Sequence, residues 1–195
     1  VIVFLTGSVL VLSLGIVGVL GAYFWTARPV KLCYRFLGEP FIFILFGPLP
    51  VLGSYYLQTG RVDINPLIPG IIVGLIIAMV LEINTFPDRK ADAAVNKRTF
   101  VVRFGPKAGV VFYRASISAT YLMAVAGLFG EGPVFWGSAA YLTTFPIGLA
   151  AIKRADVKRL TEHAHVAANK LTIIYHSVAG VLMSAAFVAF SFVNR

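Results

Sequence analysis

Long apolar stretches separated by short polar segments dominate the pattern of this chain. Six windows are apolar and nearly free of charge, at residues 1–25, 36–58, 66–86, 109–130, 133–152 and 171–193. Each is close to the ~20 residues that a helix needs to cross the hydrocarbon core of a bilayer. None shows the period-two alternation of a barrel strand, and lipid leaves backbone amides no outside partner. We therefore predict an all-α, polytopic bundle of six transmembrane helices.

Composition supports an integral membrane protein. Hydrophobic residues make up 58% of the 195 positions, charged residues only 13%, and the mean hydropathy is +0.85. A soluble domain could not bury that much apolar surface. No stretch resembles a linker between globular domains and no repeat is evident, so we expect a single transmembrane domain over residues 1–195 in contact with the lipid bilayer.

The basic residues are distributed unevenly and predict the orientation. All but two of the 17 Lys and Arg residues follow the first, third or fifth window, the exceptions being Arg61 and Arg195. Cytoplasmic loops of membrane proteins collect Lys and Arg. These loops are therefore predicted to be cytoplasmic, in the inner or plasma membrane of a prokaryotic cell. Nothing else supports a nucleic-acid partner, so the positive charge indicates orientation, anionic lipids or a phosphorylated substrate.

Small residues recur inside two of the windows. Gly15, Gly18 and Gly21 lie in the first window, and Gly70 and Gly74 lie in the third. Glycine lets two helix backbones approach closely in lipid, so these positions predict contacts between helices.

The third window leads into a polar segment that carries carboxylates at regular spacing. Asn84, Asp88 and Asp92 follow one another at intervals of four residues. On a helix each step of four drifts by about 40°, so the three side chains would share one stripe. Two aspartates on one stripe repel each other unless a cation lies between them, and oxygen ligands of this kind suit Mg²⁺. The spacing therefore predicts a metal-binding stripe at the end of a transmembrane helix.

Cations follow the stripe closely. Lys97, Arg98 and Arg103 are placed to bind phosphate oxygens, which Arg can do with two hydrogen bonds at once. An acidic stripe followed by a basic loop indicates a diphosphate site. The alternative is a solvated helix end with exposed ion pairs that contribute little. Glu82 and Asn84 favour the site, because polar side chains within a span are costly and usually functional.

The same residues resemble a known family. The resemblance rests on the run Asn84-x3-Asp88-x3-Asp92-x3-Asn96-Lys97-Arg98-Thr99, followed by Val101-Val102-Arg103-Phe104-Gly105. Further runs lie upstream, at Leu37-Gly38-Glu39, Leu45-Phe46-Gly47-Pro48-Leu49 and Leu52-Gly53-Ser54-Tyr55-Tyr56-Leu57-Gln58. The first run resembles the second aspartate-rich motif of the UbiA-type intramembrane prenyltransferases. The upstream runs resemble the branch that prenylates 1,4-dihydroxy-2-naphthoate in menaquinone biosynthesis.

This resemblance implies a nine-helix fold in which two aspartate-rich motifs face each other across a cavity on the cytoplasmic side. The six windows resemble helices four to nine, so we expect the chain to be N-terminally truncated and to lack the first motif. We also expect these residues alone to be inactive. The basic loops place the motif on the cytoplasmic side, as the family requires.

The implied reaction is transfer of a polyprenyl group from its allylic diphosphate to an aromatic acceptor. The cofactor would be Mg²⁺, held by Asp88 and Asp92 as the catalytic residues, with support from Asn84. The diphosphate would be bound by the basic residues after the stripe, Lys97, Arg98 and Arg103.

Other positions are less clearly assigned by the resemblance. Tyr23 matches a tyrosine that relatives place near the diphosphate, and an interfacial aromatic anchor is the alternative. Glu39 or Glu82 would orient or deprotonate the acceptor, or else make polar contacts within the bundle. Two positions depart from the family pattern: Pro87 predicts a kink inside the stripe, and Asn96 stands where relatives commonly have glycine.

Three alternatives remain at this point. A sister enzyme would act on 4-hydroxybenzoate or an isoprenoid-lipid acceptor. A transporter would use Glu82, Asn84 and Asp88 as an ion path, although no paired halves or broken helices are evident. The third alternative is a membrane subunit with a purely structural role, in which case the basic loop after the aspartates would have no function in binding.

Overall fold

The computed structural model of this protein describes residues 8–161 and 165–193. Within those ranges the regular structure is helical, apart from one isolated bridge that pairs Arg35 with Arg98. The helices are α1 (Val9–Phe24), α2 (Gly38–Phe46), α3 (Pro48–Thr59), α4 (Leu67–Ala94), α5 (Phe100–Gly127), α6 (Pro133–Leu142), α7 (Phe145–Arg154), α8 (Val157–Thr161) and α9 (His165–Val193), with a 3₁₀ turn at Leu32–Tyr34.

The prediction of an all-helical membrane protein is confirmed. Four segments are long and apolar enough to cross a membrane: α2 with α3, α4, α5 and α9. A fifth span arises if α6 and α7, which meet at an angle of 51°, are counted together. The predicted first window forms α1, whose 16 residues fall short of the usual ~20. Positions 1–7 of that window lie outside the described residues, so a sixth span stays a prediction.

Two helix boundaries differ from the predicted windows, and both lie next to the polar motif. α4 continues past position 86 to Ala94, so the whole motif is helical. The first helical turn of α5 begins at Phe100 instead of position 109, because Thr99 caps it with a side-chain oxygen that accepts a hydrogen bond from Val102 N at 3.4 Å. A kink at Gly105, whose φ of 86° and ψ of 163° are not helical, separates this turn from the rest of α5. This first turn contains polar residues, so it could not be predicted from apolar stretches alone.

α4 lies at the centre of the bundle and packs mainly against α5, α2 and α9. Close packing was predicted for Gly70 and Gly74 and is confirmed. A Cβ on Gly74 would collide with the Phe43 carbonyl, and one on Gly47 would collide with the Gly70 carbonyl. The helices therefore cross almost backbone to backbone, which fixes the end of α2 and its junction with α3 against α4.

The packing of α1 is looser. A Cβ on Gly21 would meet the Leu45 side chain, in line with the predicted contact. The same prediction is wrong for Gly15 and Gly18 within the described structure, where no atom lies within 4 Å of a Cβ placed on either residue. The glycines of α1 thus do not all mark helix contacts, since the close contact lies near the C-terminal end of α1, at Gly21.

A cluster of buried hydroxyl groups joins α5, α6 and α9. The Tyr141 hydroxyl donates to Thr120 Oγ1 at 2.5 Å and also contacts the Tyr175 hydroxyl. Thr120 donates in turn to the Ile117 carbonyl at 2.6 Å. We call Thr120, Tyr141 and Tyr175 the hydroxyl cluster. Because its protons run in one direction towards a backbone carbonyl, each donor has an acceptor, and the cluster links three helices.

Candidate functional site

The aspartate stripe lies on one continuous helix. α4 is unbroken from Leu67 to Ala94, so the predicted interruption of the stripe at Pro87 is not observed. Pro87 removes one backbone hydrogen bond, but its neighbours Ile83 and Phe86 are fully packed in the core and hold the helix straight enough to continue. The four-residue spacing therefore places Asn84, Asp88 and Asp92 along one side of the helix.

The loop after the stripe folds back onto it. Asn96 has a φ of 55° in the left-handed region, which favours glycine but which asparagine also tolerates. Asn96 can therefore stand at a position where the family resemblance led us to expect glycine. The turn lets the Lys97 backbone N–H donate to the Asp92 carbonyl at 2.8 Å.

Asp92 is the buried member of the stripe. Its side chain is paired with Lys97, at 3.1 Å between Nζ and Oδ1. The other oxygen, Oδ2, is buried and has no hydrogen-bond partner among the described residues. Asp88, one turn earlier, is exposed. The stripe thus offers one accessible carboxylate and one buried oxygen that needs a partner.

Asn84 connects the stripe to α9. Its Oδ1 accepts a hydrogen bond from Asn169 Nδ2 at 2.7 Å, and its Nδ2 donates to the Val80 carbonyl at 2.6 Å. Asn169 was missed from the sequence, although an asparagine near the start of the last apolar window is a signal of the same kind as Asn84. The hydrogen bond between Asn84 and Asn169 thus connects α4 to α9 next to the stripe.

The predicted basic residues occupy different environments. Arg98 is exposed and its backbone N–H donates to the Tyr34 carbonyl at 3.1 Å, which joins the loop to the 3₁₀ turn. The Arg103 guanidinium lies 4.1 Å from the ring centroid of Phe36 and 5.4 Å from that of Phe104. Arg103 is therefore held against aromatic faces, whereas Lys97 points at the stripe.

Tyr23 does not join this group. It is 62% exposed and contacts the ring of Phe24, at 5.1 Å between centroids. Trp25 and Thr26, which follow it closely, instead line a cavity beside the stripe. The structure thus brings the end of α1 to the site through Trp25, which the sequence did not single out.

A cavity of about 260 Å³ lies on the membrane side of the aspartates. Its α4 wall is made by Leu81 and Thr85, which continue the stripe of Asp88 and Asp92 at helical spacing. The full lining is Trp25, Thr26, Cys33, Tyr34, Gly38, Glu39, Leu81, Thr85, Lys97 and Thr99. The cavity therefore combines aromatic rings, hydroxyl groups, one carboxylate and one ammonium.

Cys33 is a buried free thiol in this lining. Burial raises the pKa of its thiol, partly opposed by the charge of Lys97. The neutral thiol is thereby favoured, so Cys33 behaves as part of the wall and not as a nucleophile.

Glu39 and Glu82 form a second acidic group, at the inner end of the cavity. Glu39 is 3% exposed, Glu82 is fully buried, and their carboxyl groups face each other. Three of the four oxygens, Glu39 Oε2 and both oxygens of Glu82, lack a hydrogen-bond partner in the described part of the chain. Gly109 makes room for the pair, since a Cβ there would lie 3.0 Å from Glu82 Oε1. We call Glu39 and Glu82 the carboxyl pair.

The donor set fits part of a magnesium site. Asp88 and Asp92 supply carboxylate oxygens, and the unpartnered Oδ2 of Asp92 is an available ligand. Over residues 8–161 and 165–193, however, no three His, Cys, Asp or Glu side chains are grouped so as to hold a metal ion. The stripe can therefore provide two ligands, with phosphate or water oxygens needed for the rest.

Comparison with known proteins places the chain among membrane prenyltransferases. The family described as "UbiA prenyltransferase family" matches residues 1–174. The 1,4-dihydroxy-2-naphthoate octaprenyltransferase of Haemophilus influenzae is 31% identical over 135 residues, which cover 69% of this chain and 44% of that protein. The 2-carboxy-1,4-naphthoquinone phytyltransferase of Synechocystis sp. is 28% identical over 178 residues, 91% of this chain and 57% of that protein. The chain thus spans about half the length of these relatives. No solved structure matches it.

Proposed function

Because this chain belongs to the UbiA prenyltransferase family, we propose that the native protein containing it transfers a polyprenyl group from an allylic diphosphate to an aromatic acceptor. The observation that carries the proposal is the aspartate stripe of α4, which ends beside a cavity with aromatic walls. The preferred acceptor is 1,4-dihydroxy-2-naphthoate, in menaquinone biosynthesis. The relatives' names support a naphthalene-ring acceptor and differ in the prenyl group, octaprenyl or phytyl.

Asp88 and Asp92 are the proposed metal ligands and catalytic residues, with Asn84 as a support held by Asn169. When bound, Mg²⁺ would supply positive charge that neutralises the departing diphosphate. Lys97 already lies 3.1 Å from Asp92 and would bind diphosphate oxygens beside it.

Three further residues carry proposed roles in diphosphate binding. Arg98 is exposed close to the stripe and would bind from the loop side. Arg103 and Tyr23 are weaker candidates, because each lies against an aromatic ring away from the cavity lining.

The cavity would hold the acceptor ring. Trp25 and Tyr34 offer flat faces, and the burial of the site would exclude water that otherwise hydrolyses a reactive prenyl group. A volume of about 260 Å³ lies just under the ~300–1,000 Å³ typical of small-molecule sites, as suits a molecule with one or two rings.

The proposed setting is the inner or plasma membrane of a prokaryote, with the basic loops in the cytoplasm. The asymmetry of Lys and Arg supports this orientation. In this proposal α1 is a sixth span, and the six spans correspond to helices four to nine of a nine-helix fold.

The direct test is transfer of a radiolabelled polyprenyl diphosphate to 1,4-dihydroxy-2-naphthoate by the whole native protein in membranes. We expect activity to require Mg²⁺ and to fall at least ~100-fold in Asp88→Ala and in Asp92→Ala, since the stabilisation of leaving-group charge is worth several kcal/mol. Asp63→Ala is the matched control. Asp63 lies in the connection between α3 and α4, hydrogen bonded to Asn65 N at 2.9 Å, and its loss should leave activity unchanged.

The outcomes separate the parts of the proposal. Full activity in both variants would refute the role of Asp88 and Asp92 as metal ligands. Transfer only to 4-hydroxybenzoate would show that the acceptor is not 1,4-dihydroxy-2-naphthoate. No transfer to any aromatic acceptor would refute the function. Residues 1–195 alone should give no product, because the stripe supplies only part of a metal site.

A further inference from the structure

The carboxyl pair is an energetic anomaly in a bundle whose other buried polar groups are mostly paired. A buried carboxylate without hydrogen-bond donors is costly, and two that face each other add repulsion. Glu39 and Glu82 nevertheless meet at 3% and 0% exposure, with three oxygens unpartnered as far as the described residues extend. An ionised carboxylate only accepts hydrogen bonds, so the pair can bond to each other only if one group carries a proton.

The surroundings leave room for one shared proton and one outside donor. On the side of Glu82, Phe86, Val101 and Gly109 close the space. On the side of Glu39, the backbone of Phe100 faces the carboxyl group and the cavity is open. The unpartnered Glu39 Oε2 therefore requires a donor from whatever fills the cavity.

The other charged and titratable groups of the cavity are poor candidates for that donor. Lys97 is bound to Asp92 at 3.1 Å. Cys33 and Tyr34 lie on the 3₁₀ turn across the cavity, and neither has a hydrogen bond to Glu39 in the described structure. A ligand with an O–H or N–H group and a flat ring would match both the orphaned oxygen and the aromatic walls.

We propose that Glu39 and Glu82 share one proton, and that Glu39 accepts the hydroxyl proton of an aromatic acceptor bound in the cavity. This inference rests on the proposed prenyl transfer. The acceptor O–H bond breaks and its proton passes to the pair, which changes from one negative charge to neutral. The electron pair left on oxygen feeds into the ring, whose carbon bonds to the allylic carbon as the C–O bond to diphosphate breaks and the diphosphate leaves with the electrons of that bond. The ring regains its aromaticity when the attacked carbon releases its hydrogen as a proton and the ring oxygen takes a proton back from the pair.

In this arrangement Glu39 touches the substrate and Glu82 is a positioning residue behind it. With one proton shared, the pair keeps a single negative charge inside an apolar pocket, and a second proton taken from the acceptor removes that buried charge. Glu82 contributes through Glu39 without reaching the cavity.

The test uses the whole native protein in membranes and Glu39→Gln, which keeps the shape and removes the charge. We expect kcat to fall about 100-fold, within the range for general-base catalysis, while KM for the acceptor changes only a few-fold. Glu39→Asp should recover part of the loss. Glu82→Gln should lower kcat about 10-fold, because Glu39 would then face an amide. Glu131→Gln, an exposed glutamate between α5 and α6, is the matched control and should behave as wild type.

A second readout separates base catalysis from a structural role. Halogenated acceptors with a more acidic hydroxyl need less help from a base, so the loss in Glu39→Gln should shrink along the series. Wild-type kcat in Glu39→Gln would overturn the proposal, as would an equal loss with every acceptor. If the wild-type protein transfers to no acceptor, the proposed function itself has failed. If the wild-type protein transfers the prenyl group and Glu39→Gln is equally active, the proposed function stands and only the role of the carboxyl pair is refuted.

Discussion

Two buried polar groups in this bundle have opposite hydrogen-bonding states. In the hydroxyl cluster, Tyr175 contacts Tyr141, Tyr141 donates to Thr120, and Thr120 donates to a backbone carbonyl. In the carboxyl pair, Glu39 and Glu82 are just as buried, but three of their four oxygens have no partner within the described ranges. One group is complete as it stands, and the other needs a proton and a ligand.

The difference indicates what each group does. A satisfied polar cluster between helices in lipid holds the helices together. An unsatisfied one weakens the fold, so its presence is best explained by a site whose ligand completes it. The tyrosines and the glutamates are equally buried, so burial does not distinguish their roles. Their hydrogen bonds do, because the hydroxyl groups have partners and most of the carboxyl oxygens do not.

The largest expected effect on stability is at Thr120. Thr120→Val keeps the shape but removes the acceptor of Tyr141 and the link to the Ile117 carbonyl. We expect a loss of about 1–2 kcal/mol in the free energy of unfolding, because a buried O–H is left without an acceptor. Denaturant unfolding of the detergent-solubilised protein would measure it, and prenyl transfer below the unfolding transition should be unchanged.

Thr143→Val is the control for that substitution. Thr143 makes the same kind of bond, to the Ala140 carbonyl at 2.6 Å, but it is exposed, and in the described part of the chain its hydroxyl has no hydrogen bond to a tyrosine of the cluster. Its loss should cost less than about 0.5 kcal/mol. Equal losses at the two positions would mean that the cluster adds nothing beyond a local threonine bond.

Sequence reasoning found the part of the site that lies on one helix. The stripe of Asn84, Asp88 and Asp92 could be predicted, because helical spacing alone determines which residues share a side. Lys97 was predicted near it for the same reason, since it follows within a few residues. The interruption expected at Pro87 did not occur, because core packing around it outweighs one lost hydrogen bond.

The cavity could not be predicted in this way, because its walls come from distant parts of the chain. Glu39 and Glu82 were noted singly as polar residues in spans, but only the crossing of α2 and α4 brings their carboxyl groups together. Trp25 resembled an end-of-helix residue, and Asn169 lay outside every motif. Apolar runs likewise predict where a helix crosses the membrane but not where it begins, as Thr99 illustrates.

A smaller effect on stability is expected at the hydrogen bond between Tyr113 of α5 and Thr172 of α9. The Tyr113 and Thr172 hydroxyls lie 2.6 Å apart, and Thr172 also donates to the Ala168 carbonyl at 2.9 Å, so Tyr113 is the donor to Thr172. A double-mutant cycle with Tyr113→Phe and Thr172→Val should give a coupling of about 0.6 kcal/mol, the average for such bonds in membranes. Unfolding of the four proteins measures it, and zero coupling would show that the bond is too weak to join α5 and α9.

The smallest expected effect has the opposite sign and concerns Glu82. Glu82→Gln replaces one of two facing carboxyl groups by an amide that can donate to Glu39 without a shared proton, so the number of unmatched acceptors decreases. We expect the free energy of unfolding to rise by about 0.5 kcal/mol while prenyl transfer falls, which is the usual exchange between stability and activity at a site. Unfolding and transfer measured on the same preparation would test both.

The sign of that change decides between two accounts of the carboxyl pair. If Glu82→Gln lowers stability, as Thr120→Val is expected to do, the carboxyl pair mainly supports the scaffold, and its unmatched oxygens are not kept for a ligand. If stability rises and transfer falls, the missing donors are the feature that the site uses, because the same unmatched oxygens that weaken the empty fold are the ones that a hydroxyl-bearing ligand completes.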